Sequence, residues 1–360
     1  MFSVTSNVLE KALKNEELSF NDGLELFNED IFMLGKVADE IRKRLKNDMV
    51  TFTVSYYINY TNICAANCPI CAFYRKKYDK DAYALNIDEI LRRVNVAVDL
   101  GASEIHIVGG FNPDLKMEYY EQMIKAIKSR FNRVTVKALT PAEIFFISKV
   151  TRNSIREVLS RLKDAGLDAL PGGGAEIFHE DVRKYIVKGK CSGDEWLKVA
   201  EEAHNLGIKS NCTMLYGHIE EPKHIIDHIL RLRELQKRSN GFLTFIPLRF
   251  SANNTELAIK GMVIERSSLY DLRVISIARL LLANYINNIS VYWIALGKKL
   301  AQIALAYGGN DLVGTAFEEE IFSATGLKYN ISIEELSYII KSANRIPAQR
   351  DTFHNIIKQY

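Results

Sequence analysis

Three of the five cysteines in this 360-residue chain, Cys64, Cys68 and Cys71, fall within eight residues, in the stretch Asn62-Ile-Cys-Ala-Ala-Asn-Cys-Pro-Ile-Cys-Ala-Phe-Tyr-Arg75. Thiolates are ligands for soft metals, and the question is which metal site three of them can make. A closed tetrahedral zinc site takes four protein groups, usually with a second Cys or His pair further along, whereas Cys191 and Cys212 are solitary. A ferredoxin-type cluster that only carries electrons also takes four Cys. Three thiolates on a cubane iron–sulfur cluster leave one iron open to an outside ligand, and chemistry can start there. A zinc knuckle borrowing a distant ligand and a purely electron-carrying cluster are the bland alternatives.

Such a loop needs a rigid support, and the residues before it provide one. Val50-Thr-Phe-Thr-Val-Ser-Tyr-Tyr57 is β-branched and aromatic, which predicts a strand leading straight into the cysteine loop. Strand and helix patterns then alternate. Strands are expected at 104–108, 134–139, 167–170, 210–215, 242–247 and 289–293. Helices are expected between them, the first opened by an Asn86/Glu89 capping box. Seven strands spaced by helices predict an α/β fold, a parallel sheet closed as a (β/α) barrel. An open doubly wound sheet is the rival, disfavoured because glycine and polar motifs recur after nearly every strand rather than at one switch point. The expected organisation is an N-terminal helical cap over 1–48, a barrel core over 49–285, and a segment over 286–360 that completes the barrel and is mainly helical from 295.

The loops after the strands carry the other candidates. Gly109-Gly110, opening Gly-Gly-Phe-Asn-Pro-Asp114, follows the second strand, where glycine lets backbone approach a ligand. Gly172, Gly173 and Gly174 follow the fourth strand with Glu176 close behind. Their amides could face a carboxylate or ribose and Glu176 could accept from a hydroxyl; a tight turn is the structural alternative. His218, after the fifth strand, could move a proton near neutral pH or sit in the core. Arg249, ending the sixth strand, could clamp a carboxylate or form a structural ion pair. Tyr292, beside Trp293, could stack on a flat substrate or close the barrel.

Composition sets the outer limits. Forty-seven basic and 44 acidic residues leave a net charge of +3, too mild to argue for nucleic acid. No apolar run approaches the roughly 20 residues of a membrane helix, and the opening residues, with no basic stretch ahead of an apolar core, predict no secretion leader. Clustered thiolates that form no disulfide framework suit a reducing cytosol, so a cytoplasmic protein is expected.

From about residue 50 to Asp351 the chain resembles a known group of radical S-adenosylmethionine (SAM) enzymes. The group contains the menaquinone enzymes of the futalosine pathway and the deazaflavin-forming half of FO synthase. The C-x3-C-x2-C loop, Gly109-Gly-Phe-Asn-Pro-Asp114, Met214-Leu-Tyr-Gly-His218 and Gln349-Arg-Asp-Thr352 carry the resemblance. Pro171-Gly-Gly-Gly-Ala-Glu-Ile-Phe178, Tyr292-Trp293 and Gly314-Thr-Ala-Phe-Glu-Glu319 are most similar to the aminodeoxyfutalosine synthase branch. Cys-Ala-Phe-Tyr-Arg75 and Arg345-Ile-Pro-Ala-Gln-Arg-Asp351 are closer to the cyclic dehypoxanthinyl futalosine synthase and deazaflavin branches respectively.

The resemblance implies a [4Fe-4S] cluster on Cys64, Cys68 and Cys71, with SAM as co-substrate. Gly109 and Gly110 would lie at its methionine amino group. Phe73 or Tyr74 would lie near the adenine, because Ile70 replaces the usual aromatic residue before the last cysteine. It implies addition of the 5′-deoxyadenosyl group to 3-(1-carboxyvinyloxy)benzoate with rearrangement and loss of carboxylate. A small aromatic carboxylate and a one-electron donor such as flavodoxin or ferredoxin would be the partners. Arg249, Gly172 to Gly174, His218 and Tyr292 would meet the substrate. The alternatives are the cyclase, the branch joining tyrosine to a ribityl pyrimidine, and a non-catalytic iron–sulfur or zinc scaffold.

Overall fold

A computed structural model describes residues 6–327 and 331–360; Met1–Thr5, part of the stretch read for a leader, lie outside the described residues. The chain opens with helices Asn7–Leu13, Phe20–Leu26 and Ile31–Lys46. The single strand expected over 50–57 is two, β1 (Met49–Thr53) and β2 (Ser55–Asn59), which belong to different sheets. There follow β3 (Glu104–Val108), β4 (Thr135–Ala138), β5 (Ala169–Leu170), β6 (Lys209–Tyr216) and β7 (Phe242–Arg249). With β2 they form a six-stranded sheet in the order β2-β3-β4-β5-β6-β7, every pairing parallel. Sequential order has no reversal, so the doubly wound alternative, which needs one, does not apply.

The parallel pairings run on into a closed circuit. Phe245 of β7 bridges Ile289, and Ser290 bridges Asp311 of β8 (Asp311–Gly314). Strand β8 in turn pairs with β1, which leads directly into β2. The strand expected over 289–293 is reduced to those two bridges, and Trp293 opens a short helix, Trp293–Leu296. Its indole donates to the Gly314 carbonyl at 2.9 Å, so the ring is spent on β8 and the backbone leaves the sheet.

The expectation of a mainly helical tail is also corrected. Besides helices Lys298–Ala304 and Ile333–Ser342, the tail holds β8, β9 (Ile346–Arg350) and β10 (Ile356–Gln359). Strands β10, β9, β1 and β8 make a second, four-stranded sheet. Pro347 within β9 weakens its strand signal, and four-residue strands carry little periodicity.

Helices fall where capping predicts. The Asn86/Glu89 box opens Ile87–Asp99, and Thr140/Glu143 opens Pro141–Thr151 with Pro at the first helical position. Strand β3 shows how the sheet divides inside from outside. Ile105 and Ile107 pack outward in the same apolar cluster as Ile90, Val94, Met123 and Ile124 of the covering helices, each burial contributing about 1.5–3 kcal/mol. Glu104, His106 and Val108 face inward to a cavity of about 280 Å³. No helix among the described residues is long and apolar enough to cross a membrane.

Candidate functional site

The cavity collects nearly all the candidate side chains. Cys64, Cys68 and Cys71 line it, with Ile70, Phe73 and Tyr74 beside them. Gly109 and Gly110 line it from the loop after β3, as do Gly172, Gly173, Gly174 and Glu176 from the loop after β5, and Tyr292. Two candidates are not in its lining, His218 and Arg249.

Arg249 shows why. Ile246, Leu248 and Phe250 line the cavity, and because successive side chains of a strand alternate faces, Arg249 points the other way. There it lies 3.3 Å from Asp271 and donates to the Arg266 carbonyl at 3.1 Å. This is the structural ion pair. His218 is fully buried. Its Nε2 lies 3.1 Å from the Leu215 carbonyl, and its Nδ1 accepts from the Ile219 amide at 2.7 Å. Burial lowers its pKa, against the pull of Glu220. His218 is thus one contact removed from the cavity, bonded to the backbone of Leu215, which lines it.

The cysteine loop is held by backbone. Cys64 donates to the Arg75 carbonyl at 3.0 Å, Arg75 to the Asn62 carbonyl at 2.7 Å, and Ala65 to the Phe111 carbonyl at 2.9 Å. The Lys188 amide reaches the Cys68 sulfur at 3.4 Å. Gly110 packs so closely under this loop that a Cβ there would come 2.3 Å from the Ile63 carbonyl oxygen and 3.0 Å from Cys64 Cβ. Gly110→Ala is expected to push the loop out of place, cutting iron bound per protein after anaerobic reconstitution several-fold; full iron content would show that the contact is slack.

The second glycine run is crowded for the same reason. A Cβ on Gly172 would come 2.8 Å from Cys212 Cα, and only Gly174 of the three, at φ 81°, uses a left-handed conformation. The Gly172 and Gly173 carbonyls accept from Thr213 Oγ1 at 2.6 Å and Trp196 Nε1 at 3.1 Å.

Sequence reasoning missed several cavity groups. Lys190 lies 2.6 Å from Glu176; burial opposes its charge, but Glu176, Cys68 and Cys71 outweigh it and raise its pKa. Glu143 accepts from Tyr60 at 2.8 Å and from the Gly109 amide at 3.0 Å, fixing the first glycine turn. Lys137 lies 2.6 Å from Glu104, and Arg350 from the tail binds Asp311 at 2.6 and 3.1 Å. Of these, Glu143 stands in a readable capping box and Arg350 in the Gln349–Thr352 stretch, but neither pattern places its side chain in the cavity, and Lys190 and Lys137 stand in no local motif.

Glu319 also lines the cavity, held by a loop in which Ala316 and Glu318 both take left-handed conformations, the kind of strain that clusters at functional sites. Burial pushes its carboxyl up to about 7, so the folded state binds its proton more tightly than the unfolded chain. The stability this adds is fully present below the unfolded value, near pH 4.3, and is lost as pH rises through 7. Between pH 5 and 7 the protein should lose about 2 kcal/mol more stability than Glu319→Gln in urea titrations; parallel profiles would contradict the burial.

The donor set fits a cluster. Three cysteines unpaired in disulfides share one cavity with a buried lysine whose charge the Cys68 and Cys71 sulfurs help to hold. Among the described residues no three His, Cys, Asp or Glu side chains converge on a single metal ion. Thiolates that each bind a different iron of a cube have no need to.

Comparison with known proteins agrees. The family description "Radical SAM superfamily" matches residues 58–232, and "CofH/MqnC C-terminal region" matches 239–359. The chain is 41% identical to the aminodeoxyfutalosine synthase of Thermus thermophilus over 355 residues, 98% of this chain and 95% of the relative. It is 37% identical to the 5-amino-6-(D-ribitylamino)uracil–L-tyrosine 4-hydroxyphenyl transferase of Methanocaldococcus jannaschii over 353 residues, 96% of this chain and 98% of the relative. Among solved structures, the FeFe-hydrogenase maturase HydG of Carboxydothermus hydrogenoformans matches with TM-score 0.75 at 18% identity, over 96% of this chain and 79% of that one. Methylornithine synthase matches at 0.74 and 15%, over 95% and 97%. The protein is an enzyme of the radical SAM type, whose cofactors are a [4Fe-4S] cluster and SAM. The chain belongs to the radical SAM superfamily, in the group that includes aminodeoxyfutalosine synthase and the ribitylaminouracil–tyrosine transferase.

Proposed function

We propose that the protein makes aminodeoxyfutalosine from SAM and 3-(1-carboxyvinyloxy)benzoate, joining the 5′ carbon of deoxyadenosine to the enol-ether double bond, with migration of the aryl group from oxygen to carbon and loss of the enol carboxylate as carbon dioxide, which gives back the one electron that SAM cleavage takes up. The carrying observation is that the cysteine loop, both glycine turns and an aromatic wall open onto one cavity, so SAM and a second, flat reactant can meet there. The 41% relative supports this member of the group.

Cys64, Cys68 and Cys71 would hold the cluster. When bound, cluster and SAM together supply a 5′-deoxyadenosyl radical by one-electron cleavage, the electron coming from a donor such as flavodoxin or ferredoxin. The rest is binding and exclusion of water. Gly109 and Gly110, fixed by Glu143, would receive the methionine end of SAM. Glu176, oriented by Lys190, would accept from the ribose hydroxyls, and Phe73 or Tyr74 would flank the adenine. Tyr292, whose ring lies 5.0 Å from that of Phe322, would cover the substrate ring together with Ile246 and Leu248 and keep water out.

The test is product analysis by mass spectrometry after anaerobic reconstitution, with dithionite and SAM, with and without 3-(1-carboxyvinyloxy)benzoate. An adenine-bearing adduct formed only with the benzoate is expected. Deoxyadenosine alone in both samples would turn attention to tyrosine with a ribityl pyrimidine, the reaction named for the 37% relative.

A further inference from the structure

The inner wall of the barrel carries a row of three side chains that no motif marks. Sheet register sets Tyr57 of β2 opposite His106 of β3, and His106 opposite Lys137 of β4. In-register neighbours project to the same face about 4.8 Å apart, and all three line the cavity. Tyr57 and His106 are stacked, with centroids 4.3 Å apart and planes at 15°.

The row has hydrogen-bonding capacity to spare. Burial, reinforced by Lys137, holds the His106 pKa down to about 3, so the imidazole is neutral. Its Nδ1 is buried, 4.0 Å from Glu104 and without a hydrogen bond, so the ring nitrogen left to reach a ligand in the cavity is Nε2. The side chain is 15% exposed, and the space it is exposed to is the cavity. Lys137 has three donors, and the partner the structure gives it is Glu104. The charges behind the row already balance, Glu104 against Lys137 and Asp311 against Arg350. Glu104 is further satisfied by Thr352 Oγ1 at 2.7 Å.

We infer that this row is the subsite for the ring carboxylate of the aromatic reactant. His106 and Lys137 each donate to one carboxylate oxygen, and Tyr57 holds the imidazole in plane. This rests on the proposed function, which it deepens. Two donors side by side on adjacent strands suit an acceptor with two oxygens better than a single phenol oxygen. The position also gives a direction. Tyr57 lies within β2, two residues short of its end, whereas the cysteines follow beyond that end. A ring anchored at the row therefore points its enol-ether arm toward the cysteine loop. Arg249, on the opposite face of β7, is not needed.

The test uses anaerobic holoenzyme with SAM and no reductant, so that binding is read without turnover. Calorimetric titration compares 3-(1-carboxyvinyloxy)benzoate with 2-phenoxyacrylate, the same molecule lacking the ring carboxylate. The wild type should prefer the benzoate by about 100-fold, the size expected for two hydrogen bonds to a charged group. His106→Phe, which keeps an aromatic ring against Tyr57, should lose about 10-fold of that preference, the loss falling on the benzoate. Lys137→Met alone strands Glu104 and risks misfolding, so it is paired with Glu104→Gln; the double variant should lose a similar factor while retaining its iron. A wild type without preference, or a His106→Phe variant that keeps it, overturns the subsite. The two readings fail separately: preference without an adenine-bearing adduct on reduction leaves the subsite standing and sinks the synthase reading, and an adduct without preference does the reverse.

Discussion

Cys64→Ala is expected to abolish SAM cleavage altogether. The broad visible absorbance of the reconstituted cluster should disappear, and neither methionine nor any deoxyadenosine product should form above a protein-free control. The reason is the economy of the site. In the proposed site three thiolates would hold the cluster with none to spare, and the two other cysteines are built into the core: Cys212 is fully buried in β6 and Cys191 is 1% exposed. Among the described residues no fourth cysteine lines the cavity. Burial raises the Cys68 and Cys71 thiols, opposed chiefly by Lys190. A thiolate left without iron in that setting takes up a proton, so loss of one ligand weakens the hold of the other two. Retained cleavage in Cys64→Ala would refute the cluster assignment.

The second large effect lies where the tail closes the barrel. Arg350→Ala is expected to cost about 3–5 kcal/mol of stability, because removing one partner of a buried pair strands the other. Arg350 is 4% exposed and Asp311 0%. Asp311 would keep Thr51 and Ser290, each at 2.7 Å, and the Val313 amide at 2.8 Å, but no cation. The urea midpoint of the holoenzyme should fall accordingly, and adding Asp311→Asn should recover part of the loss. Burial works against the Asp311 charge, but Arg350 outweighs it and holds the carboxyl well below the usual carboxylate range. A depressed carboxyl adds stability that is full above its unfolded value, near 3.9, and lost as pH falls through the folded one. The gap between wild type and variant should therefore narrow in acid. A gap that is constant from neutral pH to pH 3, or a loss under 1 kcal/mol, would show the pair to be incidental.

What the sequence made legible follows from range. The cysteine loop, the Gly109-Gly110 turn and the Asn86 capping box are each made by residues close in the chain, and all stand where expected. The alternating strand and helix pattern was likewise local enough to give the barrel. The short tail strands were not legible, because β8 has four residues and β9 is interrupted by Pro347. Arg249 was misplaced for a different reason. Strand β7 is apolar on both faces, as strands buried on both sides are. The alternation that turns Arg249 away from the cavity is therefore visible only once Ile246 and Leu248 are known to face in. Lys137, Lys190, Glu319 and Arg350 come to the cavity from four separate elements. Only the fold brings them together.

The synthase reading is tested most directly by running the reaction with SAM labelled with carbon-13 at the 5′ position and 3-(1-carboxyvinyloxy)benzoate, then reading the product by NMR. A synthase gives a 5′ carbon bonded to a new methylene, in a product that keeps both adenine and the benzoate ring. A label found only in the methyl group of 5′-deoxyadenosine, with the benzoate recovered intact, would contradict it.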